Sequence, residues 1–234
     1  MKEINISPRL LSAADFVRQD AILADIGTDH AYLPLFLLSE GRIKKAFCSD
    51  VNEGPLASAR ANAEAAGLLG KVEFTLADGA DALCGRGITD YAICGMGGEL
   101  ISDIIGRAED MRSPDVRLIL QPMTRRGALA HFLYENGFEI IREEYSRDAG
   151  KYYVTLLVAY TGKLREIDEL EAEFGRSGTP CKNLTAKIGY LKTKLASFEK
   201  RLAGVSRAKS VGIDYTVHVK YLKDLITEAE RTES

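Results

Sequence analysis

No apolar run in this 234-residue sequence approaches the roughly 18–20 residues needed to span a bilayer. No membrane is therefore expected among its partners. The amino terminus, Met1-Lys-Glu-Ile-Asn5, has no apolar signal-peptide core, and the expected location is the cytoplasm. Cysteine is scarce. Cys48, Cys84, Cys94 and Cys181 form no Cys-x-x-Cys pair, and Cys48 and Cys94 sit inside apolar runs. That pattern argues for free buried thiols in a reducing compartment, with no metal site and no disulfide framework. A dominant charge is lacking too: a formal net charge of −3 gives no global basic field, so any nucleic-acid surface has to be local. With 46% hydrophobic and 28% charged residues, the composition is that of a globular protein. The length suits one α/β domain and a smaller appendage.

Glycine is missing where a dinucleotide site would need it. In Ile22-Leu-Ala-Asp-Ile-Gly-Thr-Asp-His-Ala-Tyr-Leu-Pro34 a short apolar run ends in Asp25, turns at Gly27 and enters a new apolar periodicity. A first strand delivers its carboxyl end to a nucleotide-like ligand in this way in an open α/β sheet. A pyrophosphate would call for Gly-x-Gly-x-x-Gly, which brings bare backbone close. Here Gly27 stands alone, flanked by Asp25 and Asp29. Two carboxylates repel a pyrophosphate but suit a ligand with an ammonium group and a sulfonium, which favours S-adenosyl-L-methionine over NAD. A second apolar run closes on Asp50, 23 residues beyond Gly27, where a carboxylate can accept both ribose hydroxyls.

Strand-length apolar runs alternate with helical patterns from residue 7 to about 160. Ser7-Pro-Arg-Leu10 predicts an opening helix, with serine as N-cap and proline at the first helical position. Strands are predicted at 22–26, 45–51, 72–76, 91–94 and 117–120, then a terminal pair at 138–145 and 152–160 whose spacing suits a hairpin. Helices are expected around 32–38, over 55–66, from Gly98 to about Ala108, and over 126–135, the last ending at Asn136-Gly137. Seven strands, mostly parallel with an antiparallel end, give the class I Rossmann-like methyltransferase arrangement over residues 1–160.

Residues 161–234 change character. A short acidic helix is predicted over 164–174. Apolar residues then recur at heptad spacing from Leu184 to Leu202 and again from Tyr215 to Ala229, separated by a loop with Gly204 and Gly212. An α-helical coiled-coil domain, an antiparallel hairpin, is the economical reading. These seams can pair within one chain or between two, so the oligomeric state stays open. Residues 174–223 hold eleven lysines and arginines against two acids, Glu199 and Asp214. Such a face either contacts a phosphate backbone, with Lys192, Lys194 and Lys200 as candidates, or belongs to a solvated or partner-facing coiled coil.

The loops at the carboxyl ends of strands one to five form one crevice. Asp25 and Gly27 would face a methionine moiety, Asp50 the ribose, and Ala77-Asp78-Gly79 the adenine, whose amine a carboxylate can accept from. After strand four comes Cys94-Gly-Met-Gly-Gly98. Enzymes that methylate an exocyclic amine carry Asn/Asp/Ser-Pro-Pro-Tyr/Phe here, and none of it is present. Gly95 and Met96 instead leave mostly backbone against the ligand. Gln121-Pro-Met123 closes strand five at the crevice mouth.

In order and spacing, Asp25-Ile-Gly-Thr-Asp-His-Ala-Tyr-Leu-Pro34, Val51-Asn-Glu-Gly-Pro55, Gly95-Met-Gly-Gly98, Leu120-Gln-Pro-Met123 and the Ser7-Pro-Arg-Leu10 helix resemble the TrmK family of bacterial tRNA methyltransferases. The match runs over roughly residues 5–160. The resemblance implies transfer of a methyl group from S-adenosyl-L-methionine to N1 of adenosine 22 in the D-arm of tRNA, and it adds Val51 and Asn52 to the cofactor site. Adenine N1 already has an in-plane lone pair, so no strong base is needed and alignment is the main task. The product base is cationic. Asp29 either stabilises that charge or caps the helix beginning near Ala31. His30 either meets the base or holds the loop, and Tyr32 either stacks a flipped adenine or belongs to the core. Arg9, Arg125 and Arg126 reach the same rim, to meet phosphates or water. Two further readings share the crevice: a small-molecule or protein methyltransferase, and a non-catalytic S-adenosyl-L-methionine-binding RNA scaffold.

Overall fold

The computed structural model describes residues 4–208 and 215–233. Its centre is one seven-stranded sheet of order β3-β2-β1-β4-β5-β7-β6. The strands are β1 (Ala21–Ile26), β2 (Ile43–Asp50), β3 (Val72–Leu76), β4 (Asp90–Gly97), β5 (Arg117–Thr124), β6 (Phe138–Asp148) and β7 (Lys151–Tyr160). The first five are parallel, and β7 runs antiparallel to both β5 and β6. The central strands are near-continuous apolar runs because helices cover both faces. One face packs on α1 (Pro8–Ala14), α2 (Tyr32–Ser39) and α3 (Glu53–Ala65), burying Leu23, Ala46 and Ile119. The other packs on α4 (Gly98–Arg107) and α5 (Arg126–Glu135), burying Ile26, Ile93 and Leu120. Strand β1 pairs with β2 on one side and β4 on the other, so the order reverses there and opens a crevice at the carboxyl ends.

Two strands run further than their apolar stretches. Pairing between β4 and β5 continues through Met96 with Pro122 and Gly97 with Thr124, with two register shifts. Residues 95–97 and 121–124, expected beyond the strands, are therefore irregular strand ends fastened to each other. Side chain is excluded where they meet: a Cβ on Gly98 would collide with the carbonyl of Arg125.

The tail is helical: α6 (Glu169–Phe174), α7 (Leu184–Ala208) and α8 (Thr216–Glu233). Helix α6 starts later than its apolar pattern suggested, because the Asp168 carboxylate accepts the Leu170 and Glu171 amides and fixes the start there. Helices α7 and α8 pack antiparallel, with Lys192 Nζ 2.8 Å from Glu230 Oε1 and Lys223 Nζ 3.1 Å from Glu199 Oε1. Helix α7 continues through Gly204, while Gly212, Lys209 and Asp214 lie outside the described residues. The apolar seams close within one chain and join the main core: Ile188, Leu191, Leu222 and Ile226 bury with Leu129, Tyr145 and Phe174. A boundary at residue 160 thus marks a change of pattern while one hydrophobic core continues across it.

Candidate active site

The apolar residues of β1 carry Asp25 to the crevice floor, where it is only 8% exposed. Gly27 follows at φ +71, a conformation glycine adopts without a Cβ penalty, and the turn is pinned by the Gly27 and Thr28 amides donating to the Ser49 carbonyl of β2. Here too side chain is excluded, since a Cβ on Gly27 would collide with Cε of Met96. Met96 therefore packs over the turn, which links the end of β4 to that of β1. Thr28 Oγ1 donates to Asp25 Oδ2. Burial nonetheless pushes the Asp25 carboxyl up from its ordinary 3.8 to about 6, with the Asp50 and Asp29 charges adding and Thr28 and Arg9 opposing.

Above Asp25 lies a cavity of about 440 Å³ between the amino-terminal segment, β1, α2 and the end of β6. Its charged lining is three carboxylates, Asp25, Asp29 and Asp148, and one guanidinium, Arg9. Arg9 was expected at the rim and instead reaches inward. Its Nη1 donates to Gln121 Oε1 at 3.1 Å, its carbonyl accepts from Gln121 Nε2 at 2.9 Å, and its Nε lies 4.0 Å from Asp148 Oδ2. Gln121 is fully buried and also donates to Thr155 Oγ1. It positions Arg9, a role sequence reasoning missed by treating residues 121–123 as a loop. Ser7 supplies the N-cap position of α1 but makes no capping bond; its Oγ is buried on the cavity wall without a partner among the described residues.

Asp29, His30 and Tyr32 come together on one lip. His30 Nε2 lies 3.1 Å from Asp29 Oδ1, and the His30 and Tyr32 rings are 5.5 Å apart. Asp29 does not cap α2: the N-cap is Ala31, left-handed at φ +55, with no side-chain bond. Tyr32 is not core, being 43% exposed and lining the cavity with Asp29. The His30 carbonyl accepts from Asn62 Nδ2, so its backbone does hold the loop.

Asp50 ends β2, and its Oδ1 accepts the Asn52 amide at 2.8 Å. Val51 and Asn52 are exposed beside it. Asp78 follows β3 and faces Arg107 of α4 in a fork, at 3.3 and 3.4 Å. Gly79 at φ +79 sits under that guanidinium, with Nη2 3.1 Å from where its Cβ would be. No local signal linked Arg107 to Asp78, since the two lie 29 residues apart in sequence. Gly95, at φ +83, lies near Arg9 Nη1.

The remaining basic candidates divide. Arg125 is exposed, 3.7 Å from Glu99. Arg126, expected at the rim, is 4% exposed, pairs with Glu143 and donates to the Glu173 carbonyl, so it ties α5 to β6 and α6. Lys192 and Lys194 pair with Glu230 and Glu173, acids outside the basic window read in the sequence, and Lys200 is exposed. All four cysteines are free, and burial with the Asp25 charge pushes the Cys94 thiol up to about 12. Among the described residues no cluster of three or more His, Cys, Asp or Glu side chains has metal-binding geometry, and no helix is long and apolar enough to cross a membrane.

Comparison with known proteins decides what this crevice belongs to. Residues 6–156 match a family described as a methyltransferase domain. Over 162 residues the chain is 33% identical to the tRNA (adenine(22)-N(1))-methyltransferase of Bacillus subtilis, covering 69% of this chain and 68% of that one. The chain belongs to this methyltransferase family. A Streptococcus pneumoniae relative crystallised with S-adenosyl-L-methionine superposes with a TM-score of 0.79 at 32% identity, over 95% of this chain and 100% of that one. Mycoplasma capricolum TrmK in complex with S-adenosyl-homocysteine superposes at 0.72 with 25% identity, over 97% of each chain. The m1A22 methyltransferase family thus includes the helical tail as well as the sheet. The cofactor that family uses fits the residues present: a carboxylate-rich cavity with an unpartnered buried hydroxyl suits a ligand carrying an ammonium and a sulfonium.

Proposed function

We propose that this protein methylates N1 of adenosine 22 in tRNA, with S-adenosyl-L-methionine as donor. The observation that carries this is the acidic cavity at the β1–β4 switch point, beside a strand end, 94–98, without the side chains that activate an exocyclic amine. When bound, S-adenosyl-L-methionine supplies the electrophilic methyl group. Asp25 and the Gly27 turn would hold its methionine part, Asp50 with Val51 and Asn52 the ribose, and Asp78 with Gly79 the adenine. Gly95 and Met96 would bound the reacting end.

Adenine N1 brings its own lone pair, so these residues align and stabilise without stripping a proton. As the base becomes cationic, Asp29 lowers the energy of that charge from the lip, with His30 fixing the carboxylate's direction. Tyr32 offers its ring to a base turned out of the stack. Arg9, held by Gln121, is positioned to donate to the target nucleotide. The exposed cations of α7, Lys200 among them, meet the tRNA backbone from what we read as a coiled-coil hairpin. A tRNA substrate would also put the enzyme in the cytoplasm.

The test is bulk tRNA incubated with the protein and methyl-labelled cofactor, followed by mapping of the labelled nucleotide. Label as 1-methyladenosine at position 22, lost in transcripts with guanosine there, is the expected result. Binding of both partners without transfer would make the protein a scaffold. Label at another nucleotide, or on a small molecule, would overturn the assignment.

A further inference from the structure

A second cavity, of about 500 Å³, opens on the far side of the β5 carboxyl end from the acidic one, and its sign is opposite. Its charged lining is Arg125, Arg126, Lys151 and Lys194 against the single carboxylate of Glu173, in a chain whose net charge is −3. Arg126 is neutralised by Glu143, Lys194 faces Glu173 and Arg125 lies 3.7 Å from Glu99 in an exposed pair that a phosphate can displace, which leaves Lys151 as the surplus among the described residues. The β6–β7 tip borders both cavities: Asp148 lines the acidic one, Gly150 and Lys151 the basic one.

The basic cavity is held rigid and aromatic. Arg125 is fixed at φ +55, uncommon for a side chain other than glycine, asparagine or aspartate, and its carbonyl abuts Gly98 so closely that no Cβ would fit there. Tyr152 lies with its hydroxyl against Gly189 of α7 and forms part of the wall. Tyr153, next along β7, is half-buried on the lining and, among the described residues, makes no hydrogen bond or ring contact. A tyrosine that lines one cavity with an unpaired lysine and an exposed arginine is the equipment for one nucleotide of a single strand: base on ring, phosphate on cations.

We infer that this basic cavity seats the nucleotide flanking the methylated adenosine, with its base stacked on Tyr153 and its phosphate between Arg125 and Lys151. The inference rests on the tRNA reading above. The strand would cross the residues 121–124 of β5, leaving the target in the acidic cavity, whose carboxylates suit a cationic base, and its neighbour in the basic one.

The test uses the full-length protein and three tRNA transcripts: intact, and abasic at the 5′ or the 3′ neighbour of the target. Tyr153→Ala should lower kcat/KM on intact tRNA by roughly 5- to 150-fold, the range of one base–aromatic stack. On one of the abasic transcripts variant and wild type should be alike, because the partner of the ring is gone. Tyr153→Phe should behave as wild type. Arg125→Gly, which relieves the left-handed backbone while removing the guanidinium, should raise KM for tRNA and lower the salt slope of binding by about one. Calorimetric affinity for S-adenosyl-L-methionine should stay unchanged in all three. Equal losses on every transcript, or no loss on intact tRNA by an active wild type, would overturn the cavity assignment alone. A wild type silent on all three transcripts would overturn the tRNA reading itself.

Discussion

Asp25→Asn is the substitution whose two consequences point in opposite directions. A carboxyl raised from 3.8 to about 6 binds its proton more tightly in the folded chain than in the unfolded one. Between those values the folded state holds more protons, so stability falls as pH rises from about 4 to about 6 and stays lower above. At roughly 1.4 kcal/mol for each pH unit, the ionised carboxylate costs the fold about 3 kcal/mol. Asparagine removes that cost and keeps one oxygen for Thr28, while its amide nitrogen, if unpaired, returns roughly 1–3 kcal/mol. The net gain above pH 6 should be about 0–2 kcal/mol, or up to about 8 °C in Tm for a chain of this size.

Thermal unfolding of both proteins from pH 4 to pH 8, without cofactor, is the assay. The gain should be absent near pH 4, develop through pH 5–6 and hold at pH 8. In the same variant, loss of the carboxylate opposite an ammonium group should weaken S-adenosyl-L-methionine binding at least about tenfold, as expected for a charge-assisted hydrogen bond. A stability difference between variant and wild type that is the same at pH 4 and pH 8 would refute the claim that burial penalises this carboxylate. Unchanged cofactor affinity would remove Asp25 from the cofactor site.

Other substitutions separate the remaining roles. Asp50→Ala should weaken cofactor binding by at least about tenfold in calorimetry with the fold intact, since two ribose hydroxyls lose a charged partner; unaltered affinity would place the ribose elsewhere. Asp29→Asn should lower kcat at saturating cofactor and tRNA more than it lowers cofactor affinity, because the charge it meets arises only in the transition state; collapse of cofactor binding would make it a cofactor ligand instead. Arg126→Ala leaves Glu143 buried without its cation and should cost about 3–5 kcal/mol in urea unfolding; a variant as stable as wild type but weak in tRNA binding would return Arg126 to the RNA surface. Lys200→Glu should weaken tRNA binding and flatten its salt dependence with no change in cofactor affinity; an unchanged salt slope would mean that this lysine meets only water.

The sheet was readable because the central strands β1, β4 and β5 are apolar runs buried on both faces, which gives each a continuous signal. Asp25, Asp50 and Asp78 stand near the carboxyl ends of β1, β2 and β3, so fixing the strands also fixed the order of the carboxylates around the crevice. What ran past that signal was lost. Residues 94–98 and 121–124 carry little apolar content, yet they pair irregularly with each other, and their pairing brings Met96 over Gly27 and aims Gln121 at Arg9. Arg107 meets Asp78 through a tertiary contact between residues 29 apart that no spacing rule describes.

Charge was the least legible property, because its effect depends on what the fold sets beside it. Arg125 and Arg126 are neighbours of one type, yet the left-handed turn at Arg125 leaves one side chain in solvent and buries the other against Glu143. The tail shows the same effect on a larger scale. Its basic window looked uncompensated only because Glu173 and Glu230 fall outside it in sequence and beside Lys194 and Lys192 in space. Exposed pairs of that kind are weak, so a phosphate can still displace the carboxylates. The shared core carries a stricter consequence. Ending the chain near Tyr160 would uncover Tyr145, whose ring packs on Tyr190 of α7, and the face of α5 that α6 covers. Loss of tRNA binding on truncation would then report an exposed core as readily as a missing RNA surface, so charge changes on intact helices are the cleaner probe.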